Sequence, residues 1–195
     1  MDGPGQDPRK IRARLRRHER LLRQEKAEYG CYDDGAGRRY HVGPLYLLLG
    51  DLEGALKAFR WFETEFPDDS GMPDHHLCWA LALLRAGDQE NAARRLRKAM
   101  LSNLYLIPHL LGLPVRELHI WHGSNIAESS YLEYVPEEYL LLWDEKELEW
   151  ASGLYHGPEF EAVRERYVEI HRKLKDLPRG PKRNRLVHEA FALKR

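Results

Sequence analysis

Cysteine is scarce in this chain of 195 residues, which carries only Cys31 and Cys78, and two thiols cannot make the disulfide framework of a small secreted domain. No leader-like apolar stretch follows Met1, so the expected location is the reducing cytoplasm. Net charge is missing as well. The 31 basic and 31 acidic side chains cancel, and no global field marks a nucleic-acid or membrane-surface protein. Any electrostatic message has to be local. Long hydrophobic runs are also absent: the densest, residues 101–113, is interrupted by Asn103, Pro108 and His109 and falls well short of the ~20 residues that cross a bilayer. No membrane partner is expected. The sequence contains no glycine-rich phosphate loop, no nucleophile elbow and no His-Glu-x-x-His run, the local signatures of several common reaction centres. No catalytic residue, cofactor or metal ligand is assigned, and the chain reads as a non-enzyme.

What is present begins with charge segregated along the chain. Residues 1–8, rich in Gly, Pro and Asp, have little to bury and read as a disordered tail. Beyond them Ile11, Leu15, His18 and Leu22 recur at steps of four, three and four, one stripe of an amphipathic helix. Arg9, Lys10, Arg12, Arg14, Arg16, Arg17, Arg20 and Arg23 cover the remaining surface, opposed over residues 9–26 only by Glu19 and Glu25. Such a basic arm can follow phosphates, although no aromatic is interleaved in it. Alternatively it docks on the acidic stretch 128–149, where Glu128, Glu133, Glu137, Glu138, Asp144, Glu145, Glu147 and Glu149 face Lys146 alone. Residues 30–37, with Gly30, Asp33, Asp34, Gly35 and Gly37, read as a turn and hinge between arm and body.

The body repeats itself. Leu49-Gly50-Asp51-Leu52-Glu53-Gly54-Ala55 returns 37 residues later as Ala86-Gly87-Asp88-Gln89-Glu90-Asn91-Ala92. In each copy Gly can take the left-handed cap that ends one helix, and Asp can cap the next. Gly43 and Tyr46 precede the first turn, Ala55 and Phe59 follow it, and Pro67 closes the unit. The second copy offers Ala80, Leu83, Ala92, Leu96 and Ala99, with Leu104 in place of the proline and three extra residues near 70–72. Over residues 36–105 the chain resembles the tetratricopeptide repeat family, departing from it at Arg39, where Trp is usual, and at Phe62, where a small residue is usual. The resemblance implies an all-α array of antiparallel helix pairs winding as a right-handed solenoid. It also implies a protein–protein interaction scaffold whose inner surface comes from the first helix of each pair: Tyr40, Pro44 and Leu47, then Leu77, Leu81 and Leu84, with Arg85 at the edge. These positions are mostly apolar, whereas relatives that grip a peptide carboxylate use basic residues and asparagines there.

The expected organisation is therefore tail, basic helix and hinge over 1–35, repeats over 36–112, and a C-terminal helical extension over 113–195. A third unit is expected to start at Asn103, with a short helix before Gly112 and no matching second helix. Further helical patterns run over 128–134, 136–143, 144–155, 158–177 and 181–194, with Pro136, Pro158 and Pro181 in first-turn positions and Asp144 as a cap. The run from Asn103 through Leu110-Leu111-Gly112 to Gly123 and Tyr131 resembles a stretch of several bacterial proteins that carry such repeats, and implies no activity. An apolar groove of this size needs a cover. Residues 160–174, with Val163, Tyr167 and Ile170, are expected to fill part of it, and a partner protein or a second copy the rest. The alternative partner is RNA or DNA on the basic arm. His75, His76 and Cys78 lie close in sequence but lack the spacing of a zinc site, and Trp121-His122-Gly123-Ser124-Asn125 is the one loop that joins an imidazole, a hydroxyl and an amide.

Overall fold

The computed structural model describes residues 7–194, so most of the tail expected over 1–8 lies outside the described residues. Every regular element among the described residues is helical. Helix α1, Pro8–Tyr29, starts where Asp7 accepts from the Arg9 N–H at 2.9 Å and ends at Gly30 with φ 72°. Its buried stripe is Ile11, Leu15 and Leu22, packed with Val42, Leu45 and Ala58, and this apolar contact docks the arm on the body. The turn that follows is tied down. Asp34, 1% exposed and at φ 34°, accepts from the N–H groups of Arg38 and Arg39 at 2.8 Å each, and its own N–H donates to Glu25. Arg38 in turn pairs with Glu25 at 2.7 Å.

Two helix pairs follow: α2, Arg39–Leu48, with α3, Leu52–Glu65, and α4, Pro73–Arg85, with α5, Gln89–Ser102. The turns are built as their sequence repeat implies. Gly50 and Gly87 sit at φ 73° and 83°, while Asp51 and Asp88 accept from the N–H groups of Gly54 and Asn91. In the first pair a Cβ placed on Gly43 would lie 2.5 Å from the Phe59 ring, and one on Gly54 would lie 2.5 Å from the Tyr46 ring. Glycine at both positions is what lets the two helices approach this closely. The extra residues before α4 form a turn with Gly71 at φ 74°, pressed on the His76 ring.

Helix α6, Leu106–Leu110, is short. Asn103, 1% exposed, donates through its amide to the carbonyls of Ile126 and Glu128 at 2.8 and 3.0 Å, which ties the array to the extension. The helices expected over 128–134 and 136–143 are instead 3-10 turns at Asn125–Ala127 and Ser129–Tyr134 and a four-residue helix α7, Glu137–Leu140. Tyr131, Val135, Tyr139 and Trp143 do keep a step of four and are all buried. Pro136 breaks the helix between them, because it lacks an N–H and forces Val135 into extended backbone with ψ 122°. Helices α8, Glu145–Tyr155, α9, Pro158–Asp176, and α10, Pro181–Leu193, lie within about a residue of expectation. Asp144 and Glu147 form a capping box on α8. Helix α9 packs against α5, α8 and α10. No helix among the described residues is long and apolar enough to cross a membrane.

Candidate functional site

The residues that the repeat resemblance places on an inner surface are covered by the chain itself. Pro44, Leu47, Leu77 and Leu81 are buried, Leu84 is partly so, and the Tyr40 hydroxyl donates to Asp69 at 2.7 Å while accepting from Arg39. Burial and the Asp69 carboxylate push that hydroxyl up to about 12. The cover is residues 131–143: Tyr139 and Leu142 pack with Leu47 and Ala82, while Tyr131, Val135 and Trp143 join the cluster of Leu77 and Leu81. Residues 160–174, expected in this place, lie instead against α5, the second helix of its pair. Arg85 is gripped by Glu147 at 2.7 and 3.0 Å and by the Leu142 carbonyl at 2.5 Å.

Under this cover lies a set of buried polar groups. Asp74 accepts from the Tyr131 hydroxyl at 2.6 Å, and burial pushes its carboxyl above the usual range. His75 and His76 each meet a backbone carbonyl, so Nδ1–H of His75 donates to Tyr40 at 3.0 Å and Nε2–H of His76 donates to Ser70 at 2.7 Å. Their other ring nitrogens are buried without a partner, and desolvation pushes His75 down to about 4 and His76 well below 6.5. Both are neutral at pH 7, set among Phe59, Phe62 and Trp79. Among the described residues no three His, Cys, Asp or Glu side chains gather as a metal site would require. Cys78 is fully buried, and burial raises its thiol.

The basic arm is divided by its own docking. Arg14 pairs with Glu138 at 2.8 Å, the point where arm and acidic stretch meet. Arg9, Lys10, Arg12, Arg16, Arg17, Arg20 and Arg23 are exposed, and none makes a side-chain ion pair among the described residues. Glu19 and Glu25 turn the other way. Glu19 accepts from the Tyr46 hydroxyl at 2.6 Å, and Glu25 holds Arg38.

The loop singled out at Trp121 to Asn125 splits into two roles. The Tyr105 hydroxyl gives its single proton to Glu117 at 3.0 Å, so His122 donates to it through Nε2–H at 3.0 Å, and the Leu118 N–H donates to it as well. His122 is a clamp on the loop and no hydrogen bond joins it to Ser124 among the described residues. Ser124 makes no side-chain cap. It lines a cleft of about 580 Å³ bounded by α5, α9, α10, residues 70–71 and residues 121–127. The floor is aromatic. The His171 ring stacks on Tyr167 at 4.1 Å and on Trp121 at 5.6 Å, and its Nδ1–H donates to the Trp121 carbonyl at 2.8 Å. Around the floor stand Lys98, Ser102, Ser124, Lys194 and the Tyr167 hydroxyl, with Val187 and Phe191 as the apolar rim. None of these five polar groups has a hydrogen-bond or ion-pair partner among the described residues.

Reading the sequence did not bring these cleft residues together. They come from positions 70 to 194, and the only local signal in the sequence is the loop at Trp121, whose imidazole, hydroxyl and amide point to chemistry rather than to binding. Comparison of the chain with protein-family models, with curated proteins and with solved structures finds no match.

Proposed function

We propose that this chain is a non-catalytic binding module, a short tetratricopeptide-type array that takes a segment of a partner protein in the cleft between α5, α9 and α10. The cleft carries the reading: its volume of about 580 Å³ is in the range of ligand sites, apolar with a few convergent polar groups. The repeat reading rests on the Gly43–Phe59 and Gly54–Tyr46 approaches and on the duplicated Gly-Asp turn. Phe191, 59% exposed at the rim, is the position to test. A photoreactive phenylalanine analogue at 191 should crosslink a defined protein in cells, and Val187→Asp should abolish the product while leaving the thermal melt unchanged. A crosslink indifferent to Val187→Asp would remove the cleft from the reading. Self-association appears in the same experiment as a crosslinked dimer.

A second reading is favoured by one observation: α1 turns Glu19 and Glu25 inward and seven cations outward. That face is suited to the phosphates of RNA or DNA. Binding of a labelled oligonucleotide should weaken with salt, and Arg16→Glu with Arg20→Glu should lower the log–log salt slope by about 2 or more. No binding at low salt would dismiss it.

A further inference from the structure

The cleft is unusual in its chemistry. Its lining includes two lysines and two histidines and no Asp or Glu. The nearest carboxylates that act on Lys98, those of Glu63 and Asp69, are already held, Glu63 by Arg95 at 2.5 Å and Asp69 by Arg39 at 2.7 Å. Five hydrogen-bonding groups line the space without a hydrogen-bond or ion-pair partner among the described residues, Lys194 standing 5.4 Å over the Tyr167 ring, and two of them belong to partly buried lysines. A positive charge taken out of water without a counter-charge costs free energy, and two in one space cost more.

We infer that the cleft is an anion site, in which a carboxylate or phosphate seats between Lys98 and Lys194 while the aromatic or aliphatic body of the same ligand lies against Trp121, Tyr167 and Phe191. This rests on the reading of the cleft as the binding site and adds its chemical class. The hydroxyls of Tyr167, Ser102 and Ser124 supply neutral donors to the same group. His171 shapes the floor without adding charge: its Nδ1–H is committed to Trp121, and burial holds the ring below 6.5. Arg183, 4.7 Å over the Trp121 ring on the path to the Leu177 carbonyl, fixes the far wall. Burial and then Lys98 push Lys194 down to about 8, and burial and then Arg95 lower Lys98.

A bound anion favours the protonated lysine and raises its pKa. For the carboxylate probe affinity should therefore be flat from about pH 6 to 8, where Lys194 is charged, and fall as pH rises above 8, by up to about tenfold per unit for one proton. Lys98, Tyr167, His171 and His188 are the other titratable groups lining the cleft, and burial lowers His171 further from this window.

The test uses the full chain and four probes that share one ring: phenyl phosphate, 3-phenylpropanoate, neutral 3-phenylpropanamide and phenethylamine, titrated by calorimetry and by NMR of labelled lysine side chains. The two anions should bind with Kd near or below about 1 mM, the amide at least tenfold more weakly and the amine not at all. The first two arms tell phosphate from carboxylate. Lys98→Met and Lys194→Met, which keep the apolar stem, should each cost about tenfold or more, and Lys57→Met, on α3, should cost nothing. Equal binding of amide and acid, indifference to both cleft variants, or no binding of either anion at about 20 mM overturns the anion site. If the crosslink at 191 survives that result, the binding module stands without it; if both fail, the cleft is not a site at all.

Discussion

Replacing His75 by Asn separates packing from protonation in the buried core of the array. His75 is 1% exposed, gives its Nδ1–H to the Tyr40 carbonyl at 3.0 Å, and lies among the rings of Tyr40, Phe59, Phe62 and Trp79. Its pKa is held at about 4 against 6.5 in the unfolded chain. Between those values the unfolded chain binds more protons, so stability is present above pH 6.5 and is lost as pH falls, reaching about 3 kcal/mol below pH 4 and about 2 kcal/mol at pH 5. Asn keeps an N–H for the carbonyl and takes up no proton. It also loses the ring contacts, so at pH 7.5 the variant should be less stable by about 2–3 kcal/mol. Urea unfolding followed by tryptophan fluorescence at pH 7.5, 6.5 and 5 should show that gap closing by about 2 kcal/mol. The buried Asp74 carboxyl, raised by desolvation, works in the opposite direction over the acid range in both proteins, which is why the difference between them is the readout. Two parallel stability curves would refute the claim that neutral His75 is what acid attacks.

Three further outcomes follow from the geometry. Gly43→Ala should cost about 1–3 kcal/mol in urea, because its Cβ would meet the Phe59 ring at 2.5 Å inside the pair. Tyr131→Phe should cost about 1–3 kcal/mol, since it leaves the Asp74 carboxyl without its 2.6 Å donor. Asp88→Ala should lower the thermal midpoint through the lost cap of α5, with unchanged circular dichroism.

Local features of this fold could be read from local sequence. The Gly50-Asp51 and Gly87-Asp88 turns, the stripe of Ile11, Leu15 and Leu22, and the Asp144 cap each depend on residues within a turn or two of one another. His18, read on the same stripe, is half-buried and stacks on His41 at 5.6 Å. Arg39 and Phe62, the departures from the repeat pattern, have physical reasons that appear only in three dimensions. Arg39 joins Asp34 to Asp69 across the start of the array, and Phe62 packs on His75 at 4.6 Å. The cover was hidden because 128–134 and 136–143 read as two helices of the extension, whereas they form a 3-10 turn and the four-residue α7, whose place over Leu47, Leu77 and Leu81 depends on contacts distant in sequence.

On the proposed reading of the chain as a binding module, that cover decides where a partner can bind. Lifting residues 131–143 would leave Asp74 buried or newly hydrated without Tyr131, break the 3.1 Å contact of His41 with Tyr139, and take the Leu142 carbonyl from Arg85. It would also expose Tyr139 and Trp143, now 0% and 5% accessible, and full exposure of each such ring costs about 2–3 kcal/mol. A groove partner would have to exceed that sum before gaining any affinity. The cleft asks for no such exchange. It is bounded on one side by α5 of the array and on the others by α9, α10 and the Trp121 loop, so the same extension that closes the inner face builds an open site beside it. Binding at the cleft leaves the apolar core intact, and ligands should stabilise the folded chain without exposing the inner face.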